Sequence, residues 1–270
     1  MYEISVVIPT YNRADKIENA IQSVIEQSGQ EQKYTIEQIL IIDDASTDNT
    51  EEIIRRINND KISYYRIDKN TGAAHARNYG VEKAECEWIA FQDSDDLWQH
   101  NKLKKQIDYL EIHKDCGMIV HPVLAFFKDG REVITPIPQD DDQASFLAVQ
   151  NFAGTPTMLI RKDKFLACNG FDEELKALED WDLALRYSFK HPIGIVKEPL
   201  IKADMTIEGV SSNMANYYDA RCRMIAKSKN ILMERGLLNK AMEAVLLHAR
   251  ENNVLEQVGK MLEMSLINIQ

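Results

Sequence analysis

The sequence has no segment that marks an exported or membrane-spanning protein. Its 270 residues open with MYEI, which lacks the basic stretch and apolar core of a secretory signal. The most apolar run, residues 118–127, is too short to cross a bilayer and contains His121 and Pro122. We therefore expect a cytoplasmic protein.

Cysteines are scarce and basic residues are outnumbered. The four cysteines include no Cys-x-x-Cys pair, which argues against a zinc knuckle or a disulfide framework and predicts reduced, buried thiols. The 32 Lys plus Arg residues stand against 43 Asp plus Glu, a net charge of −11 that argues against a protein coating nucleic acid. Hydrophobic residues make up 44% of the chain, enough for a core in one domain with an appendage or in two domains.

Short β-branched runs alternate with amphipathic helical patterns over about the first 115 residues. Strands are predicted at residues 4–8, 39–42, 62–67 and 88–91, each followed by a helix, the last two over 73–84 and 102–113. Pro9 is expected to end the first strand, and Asp15 with Glu18 and Asp48 with Glu51 match helix capping boxes. The alternation predicts βαβ units and a parallel, doubly wound sheet.

The pattern loosens after residue 115. Residues 118–127 and 132–134 are expected to pair as strands, 139–143 to form an exposed acidic loop, and 157–160 to form another strand. Helices are predicted over 162–168 and 180–190, and again from residue 215 onward.

Polar residues collect where three of the predicted strands end. They are Thr10-Tyr11-Asn12, Asp43-Asp44 and Asp93-Ser94-Asp95-Asp96. Ligands bind outside the carboxyl ends of the strands in such sheets, so these segments predict one site. Its Asp-x-Asp spacing suits Mg²⁺, Mn²⁺ or a ribose, but a polar turn that caps a strand has the same pattern.

Two positions in this group keep separate interpretations. Asp43 precedes Ser46 and Thr47 and is assigned to helix capping, which leaves Asp44 as the ligand. Tyr11 either stacks on a base or covers the edge of the sheet.

Six motifs stand in order along the chain. They are VVIPTYN (6–12), IIDDASTD (41–48), NTG with ARN (70–72 and 76–78), FQDSDD (91–96), GFDE (170–173) and EDW (179–181). Over roughly residues 3–212 the chain resembles glycosyltransferase family 2, inverting enzymes with the GT-A fold. The resemblance implies a Rossmann-like, doubly wound mixed sheet flanked by helices. Residues 1–115 would be the nucleotide-sugar-binding half, 116–212 the acceptor-binding half, and 213–270 a helical extension.

The resemblance also implies roles for residues that bind the donor and a metal. The donor positions are Pro9, Tyr11, Asp44, Arg77 and Asp93, and the metal positions are Asp95, with Asp96 as a substitute, for Mn²⁺ or Mg²⁺. Asp44 would accept from the N–H edge of the base and Asp93 would reach the ribose. Arg77 would lie near the diphosphate, the alternative being an ion pair on its helix.

One feature of many relatives is missing, a His shortly before a Ser-rich segment. Residues 202–212 contain no His, and His121 and His191 lie too far along the chain to replace it. His75 is nearest to the motifs and is expected on a helix surface.

Asp180 matches the catalytic base of the family, with Glu179 beside it and Trp181 as a wall of the acceptor site. Such a carboxylate deprotonates the acceptor hydroxyl while a metal neutralises the departing nucleoside diphosphate. Neighbouring acids raise the pKa of a base toward neutrality. The alternative is that Glu179 and Asp180 form only the acidic first turn of a helix.

Residues 216–240 are basic within an acidic chain. Their basic residues are Arg221, Arg223, Lys227, Lys229, Arg235 and Lys240, against two acids. An amphipathic helix here would make peripheral contact with anionic lipid, or with a lipid-diphosphate acceptor, at the inner face of the membrane. The alternative is a solvated face on a helix packed against the catalytic domain. The helices after Leu237 are candidates for self-association into a homo-oligomer.

The combined expectation is a metal-assisted, inverting hexosyl- or hexosaminyltransferase of bacterial polysaccharide biosynthesis. It would move a sugar from a nucleoside diphosphate, expected to be UDP, to a glycan or lipid-linked glycan. The alternative is a non-catalytic nucleotide-sugar-binding protein. Two other enzyme classes are disfavoured. A haloacid dehalogenase-type phosphatase would carry Asp-x-Asp after its first strand, and a nucleotidyltransferase would open with a glycine-rich basic loop. The first 20 residues contain neither feature.

Overall fold

The computed structural model describes residues 1–27, 33–139, 141–204 and 213–267. Its strands are β1 (Tyr2–Thr10), β2 (Tyr34–Asp43), β3 (Ile62–Arg66), β4 (Trp88–Phe91), β5 (Leu97–Trp98), β6 (Met118–Val120), β7 (Leu124–Phe126), β8 (Glu132–Ile134), β9 (Leu159–Arg161), β10 (Gly194–Ile195) and β11 (Ile201–Asp204). Its α-helices are α1 (Ile17–Ile25), α2 (Thr50–Arg56), α3 (Ala73–Lys83), α4 (Lys102–Ile112), α5 (Gln143–Leu147), α6 (Lys162–Ala167), α7 (Glu179–Ser188), α8 (Met214–Lys227), α9 (Lys229–Glu234), α10 (Leu238–Glu251) and α11 (Leu255–Ile267). A 3₁₀ turn spans Thr155–Thr157.

Within these residues a seven-stranded central sheet has the order β10-β6-β9-β4-β1-β2-β3. Its neighbouring strands are parallel except for β9, which runs antiparallel to β4 and β6. A smaller sheet has the order β5-β11-β7-β8. The predicted mixed α/β sheet with flanking helices is therefore confirmed.

Strand β1 is apolar on both faces because helices cover both sides of the sheet. Val7 joins the core formed with α3 and α7, whereas Val6 and Ile8 join the core formed with α1, α2 and α4. This burial explains the continuous β-branched run that predicts the strand.

Helix α3 lies unusually close to the sheet at Gly80. A Cβ at this position would stand 2.4 Å from Val7 Cγ1 and 3.2 Å from Ile42 Cγ1. Glycine therefore lets the helix approach β1 and β2, and it fixes the height of the helix above the carboxyl ends of those strands.

Helices α8, α10 and α11 share an apolar core of their own, which includes Cys222, Val245 and Leu262. All six basic residues of segment 216–240 have partners within the chain. Three of them donate to backbone carbonyls: Arg221 to Ala148, Lys229 to Leu266 and Arg235 to Phe189. Lys240 donates to the Ser145 hydroxyl. The other two form ion pairs, Arg223 with Asp219 and Lys227 with Asp172 and Asp182. These contacts match the alternative interpretation, a helix packed on the rest of the chain.

Several local predictions are wrong. Strand β1 continues through Pro9, because β4 ends opposite Val7 and leaves only β2 as a neighbour at that point. Helix α1 begins at Ile17 without a side-chain cap. Asp48 lies one residue before the N-cap position of α2, yet its Oδ1 accepts from the N–H and the hydroxyl of Thr50, the first residue of that helix, while its Oδ2 accepts from the Ala14 N–H.

The predicted strand over 118–127 is two strands in different sheets, β6 and β7, separated at His121-Pro122. Strand β7 pairs with β8 as predicted. Residue 140 of the expected acidic loop, and residues 205–212 of the segment without His, lie outside the described residues. The four cysteines are free and buried, as predicted. No described helix is long and apolar enough to cross a membrane.

Candidate active site

The polar segments predicted to converge do meet at the carboxyl edge of the central sheet. The Asp44 N–H donates to Thr10 O at 2.9 Å, which joins the ends of β1 and β2. Asn12, at φ +50°, accepts from the Thr47 N–H at 2.7 Å and its own N–H donates to the Ser46 hydroxyl at 2.9 Å. Asn12, for which the sequence predicts no specific role, thus holds the two loops together.

Asp43 is a structural carboxylate, but it does not cap a helix as predicted, because the next helix, α2, begins only at Thr50. It is fully buried; Oδ1 accepts from the Ser46 N–H at 2.7 Å and Oδ2 from the Tyr64 hydroxyl at 2.7 Å. Arg66 also pairs with Oδ2 at 3.4 Å. Both carboxylate oxygens of Asp43 therefore have partners within the protein.

Asp44 anchors the loop that leads into α3. It is 4% exposed; Oδ1 accepts from the Thr71 N–H and hydroxyl at 2.8 and 2.9 Å, and Oδ2 accepts from the Gly72 N–H at 2.7 Å. Gly72 needs φ +96° to make this turn. A carboxylate offers about four lone-pair sites, so Oδ2 retains capacity for the N–H edge of a base.

The other two positions predicted to hold the base differ in exposure. Pro9 is buried within β1, opposite Ile42 of β2. Tyr11 is 44% exposed and follows the end of β1. Its exposed ring favours the stacking interpretation over a covering of the sheet edge.

Arg77 joins the segment that follows β4 to the start of α7. It is 5% exposed; Nη2 pairs with Asp93 Oδ1 and Nη1 with Glu179 Oε1, both at 2.6 Å. Burial alone would lower the pKa of Arg77, but the two carboxylates raise it. The ion-pair interpretation of Arg77 is what the structure contains, although the pairs reach β4 and α7 rather than a neighbour on its own helix.

The acids after β4 have different surroundings. Asp95 is partly exposed, and its Oδ2 lies 3.4 Å from Arg13 Nη2. Burial, followed by the negative charges of Asp93 and Asp95, raises the pKa of Asp96 to about 8. A cation would relieve this repulsion, so the hard oxygen donors of Asp95 and Asp96 fit Mg²⁺ or Mn²⁺. No group of three His, Cys, Asp or Glu side chains in the described part of the chain is placed to hold a metal, so further ligands would come from phosphate and water.

Asp180 lies in the first turn of α7, after a strained residue. Leu178 has φ +62°, a conformation that costs a non-glycine residue about 1–3 kcal/mol. Asp180 Oδ1 accepts from the Trp181 N–H at 2.6 Å and Oδ2 from the Thr155 N–H at 3.2 Å. Burial and the charge of Glu179 nevertheless raise the pKa of Asp180 to about 7. A carboxylate with this pKa can accept a proton near neutral pH.

Trp181 does not line an open surface, contrary to its predicted role as a wall of the acceptor site. It is 5% exposed, and its indole Nε1 donates to Leu147 O at 2.6 Å. The guanidinium carbon of Arg221 lies 3.9 Å from the centre of its ring. The hydrophobic neighbours of α7 take the ring into the core.

The GFDE motif (residues 170–173) attaches the segment between α6 and α7 to α3. Asn78 Nδ2 donates to Phe171 O at 2.9 Å, and Asn78 Oδ1 accepts from the Phe171 N–H at 3.0 Å. Glu173 accepts from Asn78 and lies 2.8 Å from His75 Nδ1 at the protein surface. His75 therefore occupies the helix surface, as expected.

His121 offers no replacement for the missing histidine. It is fully buried, and burial followed by the charge of Lys102 lowers its pKa to about 3. Its Nδ1 lies 2.9 Å from Pro122 O.

Comparison with known proteins identifies the family. The model of Glycosyl transferase family 2 matches residues 5–166, more than half of the chain. The chain belongs to glycosyl transferase family 2. This family 2 protein is 37% identical over 111 residues to the Escherichia coli UDP-Glc:alpha-D-GlcNAc-diphosphoundecaprenol beta-1,3-glucosyltransferase WfaP, covering 41% of this chain and 42% of WfaP. It spans about half the length of the curated relatives that it matches.

Solved structures show the same fold. TarS 1-349 of S. aureus in complex with UDP-GlcNAc aligns with a TM-score of 0.66 and 18% identity, covering 97% of this chain and 91% of that one. The mannosyltransferase PcManGT of Pyrobaculum calidifontis in complex with GDP-Man and Mn²⁺ aligns with a TM-score of 0.68 and 18% identity, covering 98% and 75%. The family 2 protein therefore has the GT-A fold.

Proposed function

We propose that this family 2 protein transfers a sugar, with inversion, from a nucleoside diphosphate to an acceptor hydroxyl, and that Asp180 is the general base. The observation that carries the proposal is the position of Asp180. Its carboxylate has a pKa near 7 and follows Glu179, which Arg77 connects directly to Asp93 at the end of β4. A base is thus fixed beside the acids assigned to the donor.

The donor would occupy the carboxyl edge of the central sheet. Tyr11 would supply a stacking surface and Asp44 an acceptor for the base. Asp93, which pairs with Arg77, would reach the ribose. A UDP-sugar is the donor we propose, since TarS binds UDP-GlcNAc and the name of WfaP gives UDP-Glc. Arg77 would act by positioning Asp93 rather than by direct contact with the diphosphate.

Asp95 and Asp96 would hold Mn²⁺ or Mg²⁺ together with the donor phosphates. When bound, such an ion neutralises the charge that develops on the departing nucleoside diphosphate. The complex of PcManGT with Mn²⁺ is consistent with this assignment.

In this proposal, a side chain of the protein takes up the proton of the acceptor hydroxyl. Asp180 removes it from the acceptor hydroxyl as that oxygen forms a bond to the anomeric carbon, and the bond to the nucleoside diphosphate breaks on the opposite face. The Thr155 and Trp181 N–H groups hold the two carboxylate oxygens in place for this step. A single displacement of this kind inverts the anomeric centre.

A glycan or lipid-linked glycan is the acceptor we propose, since the name of WfaP gives a diphosphoundecaprenol acceptor. Residues 116–212 would form the acceptor half and 1–115 the donor half, with 213–270 as the helical extension. Peripheral membrane contact through 216–240 gains no support from its basic residues, which have partners within the chain. Cytoplasmic localisation and self-association through the later helices stay predictions.

Replacing Asp180 with Asn tests the base. We expect Asp180→Asn to lower kcat by roughly 10²–10⁴-fold, because proton removal is lost, while donor affinity stays within about twofold. Turnover with a panel of nucleotide sugars and calorimetric donor binding would measure the two effects. Asp163→Asn, at an exposed acid of α6, is the matched control; turnover retained in the Asp180 variant would exclude Asp180 as the base.

Replacing Asp95 with Ala tests the metal site. Wild-type protein should bind nucleotide more tightly with Mn²⁺ than without it, and Asp95→Ala should abolish that difference because it removes a hard oxygen ligand. Calorimetry with and without Mn²⁺ measures it, with Asp108→Ala, a surface acid paired with Lys33 and Lys104, as control. Equal affinity in the wild type with and without Mn²⁺ would refute the assignment.

The alternative function, nucleotide-sugar binding without catalysis, makes a different prediction. It requires donor binding through Asp44 but no turnover by the wild-type protein. The raised pKa and fixed orientation of Asp180 favour the enzyme, because a binding protein gains nothing from a buried base.

A further inference from the structure

Arg221 of α8 is a buried cation with few partners. It is 1% exposed, and its Nη2 donates to Ala148 O at 2.9 Å. Its Nε has no hydrogen-bond partner among the described residues. Burial lowers the pKa of Arg221 to about 10, so the guanidinium stays charged at neutral pH. A charge buried with incomplete hydrogen bonding is costly, which calls for a compensating contact.

That contact is the ring of Trp181. The Arg221 guanidinium carbon lies 3.9 Å from the ring centre, a favourable cation–π geometry. The Trp181 indole N–H and the Arg221 Nη2 bind consecutive carbonyls, those of Leu147 and Ala148, at the end of α5. Ring and guanidinium are therefore held as one stacked unit.

The same tryptophan orients Asp180. Its backbone N–H donates to Asp180 Oδ1 at 2.6 Å, the shorter of the two hydrogen bonds that hold this carboxylate. This N–H belongs to the first turn of α7, so a displaced Trp181 ring that shifted this turn would turn the carboxylate away from its present direction.

We propose that Arg221 is a positioning residue for Asp180 and acts through Trp181. The inference rests on the proposed role of Asp180 as the base. It assigns to the helical extension a part in catalysis, since α8 supplies the group that fixes the tryptophan beside the base.

Lys227, on the same helix, provides a matched control. It pairs with Asp172 and with Asp182 of α7, so it also docks α8 onto the rest of the chain. It makes no ring contact with Trp181. Loss of Lys227 should thus weaken docking without releasing the tryptophan.

The test uses full-length protein labelled with ¹⁵N at its three tryptophans, with Trp181→Phe to assign the signals. The backbone amide of Trp181 should titrate with Asp180 near pH 7. Arg221→Met should move the Trp181 amide and indole signals and raise the midpoint. It should also lower kcat roughly 10- to 100-fold at nearly constant donor KM, as expected for a misplaced catalytic group.

Two further variants separate positioning from folding. Arg221→Lys keeps a cation near the ring without the planar fork, so it should restore part of the kcat and of the wild-type titration. Lys227→Met should lower Tm while leaving the Trp181 signals and kcat unchanged.

Wild-type titration and kcat in Arg221→Met would overturn the proposal, and so would an equal loss in Lys227→Met. If Arg221→Met does not fold, Arg221→Lys decides, since unchanged Trp181 signals and kcat there also overturn it. The titration does not depend on turnover. A wild-type protein without transferase activity would therefore refute the proposed function, while the Trp181 signals still report on the contact.

Discussion

At the scale of single residues, Asp180 shows how the surroundings of a carboxylate bring its pKa close to neutrality. Its two backbone hydrogen bonds favour the charged form, but burial and Glu179 outweigh them and leave the pKa near 7. The folded chain thus holds a charge in a place that disfavours it. Active sites commonly exchange stability for function in this way.

This arrangement predicts a pH-dependent gain of stability in Asp180→Asn. Asp180 has a folded-state pKa above its ordinary value of 3.8, so the wild type loses stability as the pH rises from about 4 to about 7. The Asn variant lacks that loss. Its Tm should exceed that of the wild type at about pH 8 and match it at about pH 4.

Thermal melts at the two pH values measure the effect. Asp182→Asn is the matched control, because Asp182 is also buried in α7 but is paired with Arg186 and Lys227. Its loss should lower Tm at about pH 8, since it leaves cations without partners. An Asp180 variant that melts below the wild type at about pH 8 would contradict the explanation.

At the scale of secondary-structure elements, α3 organises the site. It begins at the turn anchored by Asp44 and approaches the sheet at Gly80. Its Arg77 pairs with Glu179 of α7, and its Asn78 donates to the carbonyl of Phe171. Its distance from β1 therefore sets the reach of Arg77 to Asp93.

Gly80→Ala should lower stability by about 1–3 kcal/mol, because the new methyl would overlap Val7 Cγ1. Chemical denaturation measures the free energy of unfolding. Gly259→Ala is the matched control, since α11 leaves open space there and alanine should stabilise a helix by about 1 kcal/mol. Adding Val7→Ala to Gly80→Ala removes the overlap and should recover part of the loss; a neutral Gly80→Ala would show that α3 can shift.

Sequence patterns predicted those elements whose residues are buried by regular packing. Strand β4 has the predicted bounds because all four of its residues are buried. The contact of the Asp48 carboxylate with the Ala14 N–H could not be predicted from the capping pattern, because it joins segments that are 34 residues apart. The ring of Trp181 contacts Arg221, which lies 40 residues away along the chain. No local pattern contains such a contact.

The residues of the candidate site also differ in whether their neighbours could be predicted from the sequence. The acids at the strand ends could be grouped from the alternation of strands and helices, because parallel strands end at one edge. The partners of Arg77 could not, since Asp93 and Glu179 reach it from β4 and α7. The roles of Asn12 and Asn78 also depend on loops meeting in space, and their signal in the sequence is no more than membership of the motifs.

At the scale of the whole molecule, a few charged side chains, two of them buried, join parts that are distant in sequence. Lys227 and Arg221 fasten α8 to α7 and α5, and Arg77 fastens α3 to β4 and α7. The net charge of −11 conceals these local pairings.

Arg77→Met should destabilise the protein by about 3 kcal/mol, because it leaves two partly buried carboxylates without their cation. We expect a fall in Tm of roughly 10 °C, measured by calorimetry. Arg55→Met is the matched control, because Arg55 pairs with Glu51 at the surface, where ion pairs contribute less than about 1 kcal/mol. Equal effects of the two substitutions would show that the Arg77 pairs are unimportant for stability.

The Arg77 bridge also links the two proposed substrate positions. If Asp93 binds the ribose as proposed, the ribose would compete with Arg77 for that carboxylate and would change the charge balance at Glu179 and hence at Asp180. Occupancy of the two substrate positions is then thermodynamically linked, and each substrate alters the affinity of the other by the same factor.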